Sequence, residues 1–397
     1  MNLSFENTKN AFAYKNTKDL KMAKFLFATM RYPFFVPLAT KLTPLFLKMK
    51  LPINGIVRST IFKQFVGGET LQETVRVADV LNEYQVKVIL DYGVEGKEGE
   101  ENFDKATQQF IDVINYAATQ SNIPFMSIKV TGLARFKLLE TLNEAPRLRS
   151  GIHDNEMENA EWERVKDRLF HICDVASQKN VGVLIDAEET WIQDPVDRLV
   201  MELMQNFNKT KAVVYNTIQL YRHDRLDFFK LSHRIAKENN FILGMKLVRG
   251  AYMEKERARA KEKGYINPIQ PDKKSTDKDF DDATAYCISN IDSLASIIAT
   301  HNEESNMYAF KLMQEKNIPL NHPHIHFSQL YGMSDNITFN LAAAGCSVSK
   351  YLPFGPINDV VPYLMRRAEE NSSVGEQTGR ELGLIKKELQ RRKTSQD

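Results

Sequence analysis

Cysteine is scarce in this chain, and its few copies stand far apart. Cys173, Cys287 and Cys346 are the only three in 397 residues, with no Cys-x-x-Cys pair among them. That spacing excludes a disulfide framework and argues against a structural zinc site, and it suits a reducing compartment. Long apolar runs are missing too. Residues 25–30 and 32–40 are apolar, but Arg31, Lys41, Pro33 and Pro37 break them up. A spanning helix needs roughly 20 apolar residues, so none is expected. No apolar segment with a small-residue cleavage site follows a charged start, so no secretory signal is expected either. Nor is there an excess of one charge: the net charge of +2 makes no general case for nucleic acid. No Gly-x-Gly-x-x-Gly follows the first strand-like run and there is no P-loop, which weakens any reading that binds NAD or ATP by those motifs. Internal repeats and low-complexity segments are also lacking.

What is present is an ordinary soluble composition, 43% hydrophobic and 26% charged, arranged as alternating strand-like and helix-like segments. Short apolar runs fall at Val86–Tyr92, Phe125–Val130, Gly182–Asp186, Ala212–Ile218, Phe241–Leu247, Leu294–Thr300, Ile325–Ser328 and Ser347–Leu352. Amphipathic or charged segments lie between them, at Glu101–Ser121, Glu156–Gln178, Asp194–Lys209, Arg225–Glu238, Asp279–Ser293, Glu303–Lys316 and Ser334–Ala344. Thr70 is placed to cap a further helix from Leu71. Eight such alternations predict an α/β chain folded as a (β/α)₈ barrel over 66–397, with a doubly wound open sheet as the alternative. Residues 264–276 read as a lid-like loop and 138–154 as an insertion. The basic tail 384–397 reads as a surface helix that frays. Residues 1–65 form an arm in which Lys15, Lys18, Lys21, Lys24, Lys41, Lys48 and Lys50 alternate with apolar residues. Such an arm either packs its apolar side on the main domain, which is the expectation, or lies on an anionic membrane surface.

The chemistry concentrates where strands end, which is where parallel α/β folds bind ligands. Met245-Lys-Leu-Val-Arg-Gly-Ala-Tyr252 leaves a buried strand with two cations, Lys246 and Arg249. Three residues apart they would face opposite sides, so the strand must bend or end between them. The other ends contribute Asp91, Lys129, Asp186 with Glu189, Gln219 with Tyr221, Thr300 with His301, Gln329 and Tyr351. On the last helix Arg366 and Glu370 share a face, with Arg367 adjacent. Paired arginines grip a carboxylate while the acid meets an ammonium, the two ends of an amino-acid zwitterion. His322, His324 and His326 alternate as metal ligands on a strand do, but they sit at the wrong end and no metal is expected.

Several of these stretches resemble the proline dehydrogenase family: Lys246-Leu-Val-Arg-Gly-Ala-Tyr252, Ile185-Asp-Ala-Glu-Glu189, Ala299-Thr-His-Asn302, Gln329-Leu-Tyr-Gly-Met333 and Tyr363-Leu-Met-Arg-Arg-Ala-Glu-Glu-Asn371. The likeness spans about 65–393 in order and spacing. Phe65-Val-Gly-Gly-Glu-Thr70 and Leu90-Asp-Tyr-Gly-Val-Glu95 place it nearest the monofunctional, mitochondrial-type branch. The resemblance implies a distorted (β/α)₈ barrel with the last helix over its mouth, holding FAD. It implies oxidation of L-proline to 1-pyrroline-5-carboxylate, by hydride transfer from C5 to the flavin N5, with electrons passing to a membrane quinone. It also implies a cytoplasmic or mitochondrial enzyme, peripheral to a membrane, without a following aldehyde-dehydrogenase domain. By position, Arg366 and Arg367 would clamp the carboxylate. Glu370 and Lys129 would border the amine, with Asp186 as partner of Lys129, and Tyr252 and Tyr351 would wall the ring. Gln219, Lys246, Arg249, Gly250, Thr300 and His301 would contact FAD.

In bifunctional relatives the cations at 246 and 249 are exchanged, arginine for Lys246 and lysine for Arg249. The arm before residue 65 is not explained by the resemblance. Hydroxyproline-oxidising relatives tend to lack the tyrosine at 351, which favours proline as substrate. The alternatives are hydroxyproline dehydrogenation, a Schiff-base aldolase using Lys129 or Lys246, and a catalytically dead amino-acid binder.

Overall fold

The computed structural model describes residues 3–30, 54–93, 98–144, 156–373 and 375–394. Eight parallel strands close in sequence order into one barrel: β1 Lys87–Tyr92, β2 Phe125–Ile128, β3 Gly182–Ile185, β4 Val214–Gln219, β5 Leu243–Val248, β6 Leu294–Ala299, β7 Ile325–Leu330 and β8 Val348–Phe354. The helices are α1 Thr8–Ala11, α2 Thr17–Met30, α3 Leu71–Asn82, α4 Glu100–Ala117, α5 Phe136–Glu144, α6 Glu156–Lys179, α7 Thr190–Phe207, α8 Arg225–Glu238, α9 Met253–Lys263, α10 Lys273–Ser289, α11 Glu303–Glu315, α12 Asp335–Ala343, α13 Ile357–Ser373 and α14 Gly375–Thr394, with short helical turns over 54–65. The barrel expected from the alternation is therefore the fold, and the open sheet is excluded. By contact density the chain forms two compact units, Val94–Phe327, and Met1–Gly93 with Ser328–Asp397.

Within Val94–Phe327 an aromatic layer lies near the starts of β2, β4 and β7. The Phe125 ring meets those of Tyr215 and His326 edge-on, at centroid distances of 5.7 and 5.2 Å. Two glycines make the room. A Cβ on Gly182 would lie 2.4 Å from the Phe125 ring, and one on Gly244 would lie 2.3 Å from the carbonyl oxygen of Val214. His326 thus belongs to this aromatic layer. His324 Nδ1 lies 2.6 Å from the carbonyl oxygen of Ile291. Among the described residues no three His, Cys, Asp or Glu side chains group to hold a metal. All three cysteines are buried and unpaired, and burial pushes the thiols of Cys287 and Cys346 up to about 12.

In the other unit, Phe12, Leu20, Ala23 and Phe27 of the arm share one core with Phe62, Phe65, Met333, Val360, Leu364, Leu382 and Ile385. Burying each larger apolar side chain stabilises by about 1.5–3 kcal/mol before chain entropy is charged. The arm's second apolar stretch and Lys41, Lys48 and Lys50 lie outside the described residues. Among the described residues no helix is long and apolar enough to cross a membrane.

Two expectations require correction, and a third gains detail. The tail is not a fraying surface helix. Leu382, Leu384 and Ile385 are buried, and Glu388, fully buried, pairs with Arg391 and Arg392 at 2.8 Å. Its charged residues masked an apolar stripe. The insertion at 138–154 begins as helix α5, which buries Leu138, Leu139 and Leu142; 145–155 lie outside the described residues. The lid-like loop is shorter than expected. Asp272 accepts from the amide of Ser275 and starts α10 at Lys273. The loop's backbone is also tied down, since Gln270 N–H donates to the Tyr221 carbonyl at 2.7 Å and His223 N–H to that of Pro268 at 3.1 Å.

Candidate active site

The site residues of Val94–Phe327 stand at or near the carboxyl ends of successive strands. β5 ends at Val248, between Lys246 and Arg249, as their spacing demanded. Lys246 is buried and ion-paired to Asp186, just past the end of β3. The family resemblance implies Lys129 as the partner of Asp186; the charge this carboxylate meets in the fold includes that of Lys246. Lys129 sits at the head of a tight turn, Val130–Gly132, and its charge acts on Glu188.

Arg249 is held at every nitrogen. Its Nε donates to Asp277 at 2.7 Å, Nη1 to Thr300 Oγ1 at 2.6 Å and Nη2 to Ser305 Oγ at 3.0 Å. The guanidinium also lies 4.4 Å from the ring centroid of Phe280, a cation–π contact. Thr300 is fixed in turn, its hydroxyl accepting from the amide of Asn302 at 3.1 Å. Gly250 has φ +136°, and a Cβ there would come within 2.5 Å of the Tyr221 ring. Tyr252 precedes α9 with Lys255 Nζ 5.5 Å from its ring centroid.

Gln219 closes the set. Its amide donates to the Glu188 carbonyl at 2.7 Å, and behind that lies a chain of buried polar groups. The Glu188 amide donates to Gln193 at 2.9 Å, Gln193 donates to Asp197 at 2.8 Å, and Arg225 pairs with Asp197 at 2.6 Å. Buried polar groups satisfied in series hold one geometry.

Glu188 and Glu256 were not among the predicted site residues. The Glu188 carboxylate accepts from Thr131 Oγ1 at 2.8 Å. Burial pushes its carboxyl up to about 7, against the pull of Lys129 and Thr131. Glu256 is fully buried on α9 and accepts both the amide and the hydroxyl of Thr190 at 2.7 Å. It caps α7 from a distance, so that helix starts at Thr190 and not at Asp194 as expected. The Ile185-Asp-Ala-Glu-Glu189 motif already contained Glu188; nothing local marked Glu256.

His301 follows Thr300 just past the end of β6, and the remaining predicted residues belong to the other unit. Tyr351 lies on β8 in register with Ile89, and its carbonyl accepts from the Tyr331 amide at 2.9 Å. Arg366 and Arg367 are neighbours on α13; Arg367 is buried with its guanidinium 5.2 Å from the Tyr363 ring centroid. Glu370 lies on the same helix, and its side chain is outside the described residues.

Comparison with known proteins agrees with the motifs. The family model for proline dehydrogenase matches residues 74–380. The chain is similar to proline dehydrogenase 1, mitochondrial, of Dictyostelium discoideum, 30% identical over 97% of this chain and 74% of that protein. It is also similar to the hydroxyproline dehydrogenase of Xenopus laevis, 32% identical over 85% of this chain and 78% of that one. Among solved structures it resembles proline utilization A of Bdellovibrio bacteriovorus inactivated by N-propargylglycine, with a TM-score of 0.71 and 20% identity. That likeness, which shows the fold alone, covers 92% of this chain and 38% of that one. With a matched family model over most of its length and the motif residues at its strand ends, the chain belongs to the proline dehydrogenase family.

Proposed function

We propose that the chain oxidises L-proline to 1-pyrroline-5-carboxylate with bound FAD, residues 66–397 forming the FAD-binding barrel, and passes the electrons to a quinone. The observation that carries the reading is the array at the ends of β3 to β6, where Lys246 and Arg249 are each held by an acid beside Gln219 and Thr300. The array suits a flavin by the chemistry of its donors: two cations, an amide, a hydroxyl and a glycine with no space for a Cβ. Gln219, Lys246, Arg249, Gly250, Thr300 and His301 would hold FAD, which when bound supplies the two-electron acceptor. Lys246 and Arg249 would stabilise negative charge developing on such an acceptor.

On the substrate side the roles are those the family resemblance assigns: Arg366 and Arg367 would clamp the carboxylate, and Glu370 and Lys129 would border the ring nitrogen. Tyr252 and Tyr351 would wall the ring and exclude water, with Asp186 balancing the local charge. The carboxylate clamp orients the ring before reaction, which is where binding energy lowers the barrier. Peripheral membrane contact is consistent with α2, whose outer face presents Lys18, Lys21, Lys24 and Phe25, the last 60% exposed. A second reading, hydroxyproline oxidation, draws on the Xenopus relative. The Tyr351 phenol disfavours it by crowding a ring hydroxyl.

The test is turnover of L-proline with a water-soluble quinone, the product identified by mass spectrometry. A product two hydrogens lighter than proline supports the reading. Full flavin loading with no product would end it.

A further inference from the structure

A second cluster of buried charge has no task in the reaction described above. It lies wholly within the unit formed by Met1–Gly93 and Ser328–Asp397. Asp335, at the start of α12, is 3% exposed. Its Oδ2 meets Lys15 Nζ at 3.1 Å and accepts the Tyr14 hydroxyl at 2.9 Å, while Oδ1 meets Lys350 Nζ at 2.9 Å. Lys350 is completely buried on β8 and also donates to the carbonyls of Met333 at 2.5 Å and Leu330 at 3.4 Å. It therefore fastens the turn that leaves β7 to the back of β8. Glu381 of α14 accepts the Ser334 amide in the same turn. Arg392 donates to the carbonyls of Phe12 and Lys15 at 2.8 and 2.9 Å, and the Tyr14 ring stacks on Phe339 at 4.6 Å.

Buried ion pairs are poor stabilisers, because desolvation consumes most of their attraction; apolar side chains of similar size often serve stability as well or better. What a pair with several hydrogen bonds does supply is a fixed geometry. Here the geometry bears on one neighbour. Lys350 and Tyr351 are consecutive on β8, so their side chains point to opposite faces. Anchoring Lys350 from behind fixes how far Tyr351 stands out in front.

We infer that Lys15 is a positioning residue of the enzyme. Through Asp335 and Lys350, the N-terminal segment sets the strand that carries Tyr351, and with it the wall Tyr351 gives the proline ring. The inference rests on the role proposed above for Tyr351.

The test uses the full, FAD-loaded chain with Lys15→Met, Tyr14→Phe and Lys15→Arg. Steady-state kinetics on L-proline is paired with hydrogen exchange of the peptide spanning Val348–Phe354. Lys15→Met should raise KM about tenfold while kcat moves less than about threefold, since a displaced wall weakens ring binding. Exchange in the β8 peptide should quicken. Tyr14→Phe should act in the same direction more weakly, and Lys15→Arg should restore both readouts. Wild-type KM in Lys15→Met, or equal damage in Lys15→Met and Lys15→Arg, overturns the inference. Should Lys15→Met fail to fold, Tyr14→Phe with both readouts unchanged also overturns it. A wild-type protein that does not oxidise proline removes the role of Tyr351. The exchange data then stand alone, and an undisturbed β8 in the variants refutes the coupling itself.

Discussion

Arg249 Nη1 donates to Thr300 Oγ1 across 2.6 Å, joining the end of β5 to the end of β6. The same guanidinium reaches Asp277 and Ser305, a three-acceptor fork that a lysine ammonium does not reproduce. Arg249→Lys keeps the charge and loses the fork. Flavin retention should weaken by about 2 kcal/mol, the scale of a charge-assisted hydrogen bond. The flavin-to-protein ratio after dialysis measures it, and an unchanged ratio would separate Arg249 from the cofactor.

Gly250 joins Arg249 to the turn before α9 at φ +136°, with the Tyr221 ring in the place of a side chain. Gly250→Ala should destabilise by about 2 kcal/mol or more, combining backbone strain with a clash. Urea unfolding checks the loss. The double variant with Tyr221→Leu should recover the steric part only, leaving the cost of the left-handed backbone.

Burial, with the charge of Asp335 adding to it, raises the Glu381 carboxyl from 4.5 to about 7. Between those values the native chain holds a proton that the unfolded chain has released. Stability from this group is therefore full below about 4.5 and falls as pH rises through about 7. Glu381→Gln should remove that loss. Relative to wild type it should gain stability on the order of 3 kcal/mol between pH 5 and pH 8. Parallel pH dependence in the two proteins would show that Glu381 ionises normally.

Arg366→Ala should weaken binding of a carboxylate-bearing proline analogue by about 2 kcal/mol or more, the cost of removing one partner of a desolvated charge pair. Titration calorimetry reads it directly. Unchanged affinity would remove Arg366 from the site.

The barrel was legible because each strand is a short apolar run closed by a polar residue, and each helix carries its own period. Lys246, Arg249 and Gln219 were legible for the same reason: they stand where the apolar run stops. Pairings were not. That Lys246 meets Asp186, or that Glu256 caps α7 across 66 residues, depends on which strand ends the closed barrel makes neighbours. The tail failed for a different reason. Its six basic residues from Arg380 onward dominate the composition, while Leu382, Ile385 and Leu389 form the stripe that decides its fate.

The most direct measurement is an anaerobic visible spectrum of the purified protein before and after L-proline is added. A flavin spectrum that bleaches with L-proline, and far less with trans-4-hydroxy-L-proline, is the expected result and unites cofactor, reaction and substrate preference. A protein that stays colourless after incubation with FAD, or whose bound flavin stays oxidised in excess L-proline, would contradict proline oxidation by this chain.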